Sequence, residues 1–137
     1  MRSTWTQQLY VEEYGDGDPL LLIEGLGQSM WAWREQIAVF ARHFRTIAFD
    51  TRGTGRSYVP DKPYGIDELA RDAADILNER AAHLVGLSMG GYVALTLALA
   101  RPELVRSLVL VGTGEHQRPH ELRTRERERQ CGVTTHR

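Results

Sequence analysis

Gly86-Leu87-Ser88-Met89-Gly90 is where chemistry is easiest to place in this chain. A single hydroxyl stands between glycines where an apolar run, AHLVGL, hands over to a helical pattern, GGYVALTLALA. The spacing is G-x-S-x-G in a strand-to-helix context. A nucleophilic serine must project from a sharp turn that both a base and a substrate carbonyl can reach. Side chains two residues to either side would collide in so tight a turn, so glycine is required there. A helix beginning just after Ser88 also directs its dipole and free N–H groups toward developing negative charge. The plain alternative is a glycine-rich turn with a helix-capping serine.

Hydrophobic periodicity indicates the elements that must position Ser88. PLLLIEG (19–25), FRTIAFD (44–50), AHLVGL (82–87) and RSLVLVG (106–112) are continuous apolar runs of strand length, as expected for strands buried on both faces. Between them lie helical patterns over 30–44, with Ser29 as N-cap, over 66–81, and from 90 to the boundary set by Pro102. QQLYVEE (7–13) reads as a short edge strand, and YGDGDP as a turn. The alternation predicts an α/β fold, a parallel sheet with helices on both faces joined by right-handed crossovers.

At 137 residues, 42% hydrophobic and 26% charged, the chain can build one compact core. A net charge of −1 gives no whole-protein attraction to nucleic acid or anionic membranes. Cys131 is the lone cysteine, so no internal disulfide is possible, and a reducing compartment is expected. The N-terminus lacks the apolar core of a signal peptide, and no apolar run approaches the ~20 residues of a membrane span. A cytoplasmic protein is the expectation. Composition changes sharply near Gly114. Residues 1–113 form the domain, and 114–137 are an Arg- and Glu-rich tail, read either as an exposed polar helix or as disorder.

IEGLGQS, DTRGTGRS and GLSMGG, in that order along residues 7–113, resemble the α/β-hydrolase family. The resemblance implies Ser88 as nucleophile and two oxyanion-hole donors, the backbone N–H groups of Met89 and Leu26. The family commonly has histidine where this chain has Glu24. A carboxylate there would oppose an oxyanion unless turned away, paired or protonated. Since Glu24 closes a strand, it is expected to be turned away. Asp50 and Arg52 could be read as catalytic acid and electrophile. The preferred reading is structural, with Asp50 and Arg52 tying their own loop by a charge-assisted hydrogen bond. TRGTGR lacks the spacing of dinucleotide and phosphate-loop fingerprints, so no cofactor and no metal are expected.

The family's triad order is serine, acid, histidine. After Ser88 that leaves Glu115, just beyond SLVLVG, as candidate acid, and His116 as candidate base. His116, His120 and His136 all lie in the polar tail. His43 ends a helix and His83 starts a strand, both away from the edge that carries Ser88. The expectation is therefore a nucleophile without a complete triad in this chain. The resemblance stops near Gly114, and 16 arginines against one lysine fit a GC-rich coding sequence. A truncated or frame-shifted product is expected, with an uncovered sheet edge through which copies could associate. The function implied is a hydrolase of small esters or lactones working through a Ser88 acyl-enzyme. The alternative is a non-catalytic binding protein or inactive fragment of the same fold.

Overall fold

The computed structural model describes residues 1–114. Six strands form one sheet in the order β1-β2-β4-β3-β5-β6. They are β1 (Arg2–Thr6), β2 (Leu9–Tyr14), β3 (Asp18–Ile23), β4 (Phe44–Phe49), β5 (Ala82–Leu87) and β6 (Val105–Val111). The helices are α1 (Arg34–Phe40), α2 (Ile66–Leu77) and α3 (Met89–Ala100), with 3-10 turns at Met30–Trp33 and Pro102–Leu104.

The sheet is mixed rather than wholly parallel. β3, β4, β5 and β6 run parallel, whereas β1 pairs antiparallel with β2 and β2 antiparallel with β4. The physical reason is the connection. Only the two residues Gln7 and Gln8, both at positive φ, separate β1 from β2, and so short a link can make only a hairpin. β1 lies outside the edge strand expected at 7–13, because its exposed residues, polar apart from Trp5, carry no apolar alternation.

The apolar runs are continuous because both faces are covered. Leu21 and Ile23 of β3 pack with Leu69, Ala73 and Ile76 of α2 and with Val93 and Leu97 of α3. Leu20 and Leu22, pointing the other way, pack with Met30, Trp33 and Ile37. Each buried Leu or Ile in these layers contributes about 1.5–3 kcal/mol relative to exposure. β6 departs from the expected buried strand. Val109, Leu110 and Val111 are 50%, 43% and 43% exposed, because β6 lies at the end of the described sheet and pairs with β5 alone. The helix expected over 30–44 is shorter and begins as a 3-10 turn. Ser29 makes no side-chain cap; instead the Met30 N–H donates to Asp50 Oδ1 at 2.9 Å. No helix among the described residues is long and apolar enough to cross a membrane.

Candidate active site

β3, β4 and β5 are adjacent and parallel, so their C-terminal ends deliver three loops to one edge. Ser88 sits there, exposed, between the end of β5 and the start of α3. Its φ of 51° and ψ of −112° place a non-glycine residue in a region L-residues rarely occupy. Strain of this kind costs on the order of 1–3 kcal/mol and persists only where surrounding structure over-determines it.

That surrounding structure is specific. A Cβ on Gly86 would stand 2.6 Å from both the carbonyl carbon of Gly90 and the Cα of Gly91. A Cβ on Gly90 would stand 2.6 Å from the carbonyl oxygen of Glu24. Only glycine lets α3 start so close to β5 and β3. The Ser88 N–H donates to the Val111 carbonyl at 2.8 Å, and the Ser88 carbonyl accepts from the Gly91 N–H at 3.0 Å and Thr113 Oγ1 at 3.1 Å. Val111 and Thr113 therefore brace the turn. Neither carried a signal in the sequence beyond their place at the end of a neighbouring parallel strand.

Leu26 lies in a turn that begins at Gly25 and closes with the Gln28 N–H donating to the Gly25 carbonyl at 3.2 Å. Gly27 takes φ +72° at its third position, which glycine provides without cost. Gln28 Oε1 also accepts the Gly25 N–H at 3.2 Å. A Cβ on Gly25 would lie 3.6 Å from the Ser88 Cβ, so this turn stands directly beside the serine. Leu26 is 81% exposed, next to that contact. Met89 is the first residue of α3, so its N–H belongs to the helix's first turn, which has no intrahelical acceptor. The structure thus brings Ser88, Met89 and the Gly25–Leu26 turn to one place.

Glu24 is turned away from that place, fully buried, with Oε1 accepting the Thr51 N–H at 2.8 Å. Burial pushes its carboxyl up to about 8; the Thr51 N–H opposes the shift and the nearby Asp50 adds to it. Asp50 and Arg52 do not pair with each other. Asp50 accepts the N–H groups of Met30 and Arg56, both at 2.9 Å, and so caps the 3-10 turn from across the sheet edge. Arg52 reaches α2 instead and forks onto Asp72, Nε to Oδ2 at 2.7 Å and Nη2 to Oδ1 at 2.6 Å. The planar guanidinium matches a carboxylate in this bidentate way, and Asp72 is only 4% exposed. Both residues therefore hold the loop, through partners other than those expected.

Glu115 and His116, the candidate acid and base, lie outside the described residues. His43 and His83 lie at the opposite edge. His83 is the second residue of β5, five positions before Ser88, or roughly 17 Å along a strand. It meets Ser107 Oγ at 2.7 Å instead. Among the described residues, no group of three or more His, Cys, Asp or Glu could hold a metal ion. A cavity of about 500 Å³ opens between α1 and β2, lined by Met30, Trp31, Ile37, Glu12 and Arg56, but neither Ser88 nor Gly25 lines it.

A family model described as alpha/beta hydrolase fold matches residues 18–129. A protein of Azorhizobium caulinodans named "Putative carbamate hydrolase RutD" is 43% identical over 106 residues, covering 75% of this chain and 40% of that protein. The structure of a thermophilic esterase from Thermogutta terrifontis superimposes with a TM-score of 0.80 at 29% identity, over 94% of this chain and 54% of that one. That of an enol-lactonase from Burkholderia xenovorans does so with a TM-score of 0.69 at 28% identity, over 78% and 45%. The chain spans about two-fifths of the length of the relatives it matches by sequence.

Proposed function

Because this chain belongs to the alpha/beta hydrolase fold family, we propose that it serves a serine hydrolase reaction on small carboxylic esters or lactones, with Ser88 as the nucleophile. The observation that carries this reading is the strained, exposed Ser88, held by close-packed glycines beside the Gly25–Leu26 turn. Strain at a non-glycine residue, fixed by its surroundings and exposed at a sheet edge, is expected of a working turn rather than of a helix cap.

Ser88 Oγ attacks the acyl carbon while its proton passes to a general base. The carbonyl oxygen becomes an oxyanion, which the Leu26 and Met89 N–H groups receive. The C–O bond to the leaving group then breaks, the alcohol departs with the proton, and water clears the acyl-enzyme by the reverse sequence. In a lactone the leaving alcohol stays tethered to the acyl chain. The base and its acid partner come from beyond residue 114, with His116 and Glu115 the residues of this chain proposed for them. The relative named for carbamate hydrolysis and the enol-lactonase and esterase neighbours all belong to acyl-group chemistry. A serine at this position also separates the chain from epoxide hydrolases, two of which are structural neighbours and whose branch uses a carboxylate nucleophile.

A serine-directed fluorophosphonate tests the proposal. An adduct on Ser88, absent from Ser88→Ala, supports the hydrolase. An inert Ser88 in folded protein favours a non-catalytic binding role for the same fold.

A further inference from the structure

Glu24 is the residue through which four segments meet. Its side chain is fully buried, Oε1 takes the Thr51 N–H at 2.8 Å, and among the described residues Oε2 has no hydrogen-bond partner. Thr51 opens the loop after β4, so this carboxyl ties the end of β3 to the end of β4. The Glu24 carbonyl lies under Gly90, in the first turn of α3. The next residue, Gly25, abuts Ser88.

A carboxylate has only acceptors to offer. Ionised here, it would leave one buried oxygen without a donor among the described residues, which costs far more for a charge than for a neutral group. The ionisable group facing it is Asp50, on the β4 side, which carries like charge and already holds the Met30 and Arg56 N–H groups. On the α3 side the Glu24 carbonyl lies against Gly90, which brings no charge. The upward displacement of the carboxyl to about 8 agrees with this geometry.

We propose that Glu24 is a positioning residue whose neutral carboxyl holds the Gly25–Leu26 turn against Ser88, and whose ionisation shifts that turn. β3 is paired on both sides, with β4 and with β5, and cannot yield. Among the described residues, the hydrogen bonds within the turn itself are the two between Gln28 and Gly25, both at 3.2 Å. When the carboxyl gains charge and draws in water, the displacement passes into the turn and moves the Leu26 N–H relative to Ser88. The consequence for catalysis rests on the reading of Ser88 as nucleophile, whereas the movement of the turn does not.

Isotope-labelled chain of residues 1–137, titrated by NMR from pH 5 to 10, decides between the alternatives. The Glu24 side-chain carbon is expected to titrate with a midpoint near 8. The Gly25, Leu26 and Thr51 amide signals should shift with that same midpoint, and the shifts should vanish in Glu24→Gln, which keeps the shape. Fluorophosphonate labelling is run in parallel. From pH 6 to 9 the wild-type rate should fall roughly tenfold relative to Glu24→Gln, the scale set by loss of part of one oxyanion donor. Amide signals that ignore the Glu24 titration, or shift equally in Glu24→Gln, overturn the proposal. Should Glu24→Gln not fold, matched or unmatched midpoints in the wild-type chain decide. Absence of any Ser88 adduct in either protein removes the nucleophile reading, while the amide titration still decides the role of Glu24.

Discussion

A Cβ on Gly86 would stand 2.6 Å from the carbonyl carbon of Gly90, in the first turn of the helix that follows. β5 and α3 can approach this closely only because both residues lack a side chain. Gly86→Ala must push backbone against backbone and is expected to cost about 2 kcal/mol or more. Gly27→Ala, where nothing lies within 4 Å and only φ +72° opposes a side chain, should cost about 1 kcal/mol. Urea unfolding of the two variants checks the order. Equal losses would mean that the turn beside Ser88 is not close-packed.

Strain at Ser88 gives a second expectation. Ser88→Gly should be more stable than Ser88→Ala by about 1 kcal/mol, because glycine accepts φ 51° and ψ −112° while alanine inherits the strain. Both should lose fluorophosphonate labelling. Thermal unfolding of the pair gives the comparison, and an alanine variant at least as stable as the glycine one would show that the turn relaxes.

Arg52 and Asp72 pair with side chains 17% and 5% exposed, the carboxylate buried and the guanidinium half-buried. Removing either partner strands the other, so Arg52→Ala and Asp72→Ala should each destabilise by roughly 3 kcal/mol. The double variant should lose much less than the sum, since no buried charge is then left alone. A double-mutant cycle in denaturant measures this coupling. Additive losses would mean the pair contributes only packing.

Glu24 makes stability fall with pH in a defined window. Its carboxyl rises from an ordinary 4.5 in the unfolded chain to about 8 in the folded one. Between these values the folded state binds the extra proton. The contribution of Glu24 is therefore complete below pH 4.5 and is lost as pH rises toward 8, at up to about 1.4 kcal/mol per pH unit. The unfolding free energy of wild type should decline across this window relative to Glu24→Gln, which cannot titrate. Parallel profiles for the two proteins would contradict a buried, neutral Glu24.

Val109 and Val111 lie on the face of β6 opposite Leu108 and are 50% and 43% exposed, and Leu99 of α3 is 78% exposed. Edge strands with apolar side chains recruit other chains. Size-exclusion chromatography across a concentration series is expected to show self-association that Val109→Lys reduces. A wild-type chain that elutes as a monomer throughout would remove the edge as an association surface.

What could be read from the residues alone was local. G-x-S-x-G and the apolar runs report on neighbours within a turn or a strand, so the strand–helix alternation, the elbow at Ser88 and the presence of helices on both faces were legible. The 3-10 start at Met30–Trp33 was not, because its cap is Asp50, 20 residues away, rather than Ser29. Nor was the β1–β2 hairpin, since β1 buries too little to leave an apolar pattern.

Partner choice among charges was decided only by the tertiary structure. The sequence placed Asp50 and Arg52 two residues apart in one loop, which suggested a pair. Folding set Asp50 over the amide of Met30 and brought α2 alongside, offering Arg52 the carboxylate of Asp72. Glu24 shows the same limit. Its type and its place at a strand end were visible, but its protonation depends on how much water and which charges surround it. Those are properties of β3, β4 and α3 packed together. A motif records which groups lie close along the chain, whereas solvation and pairing depend on what lies close in space.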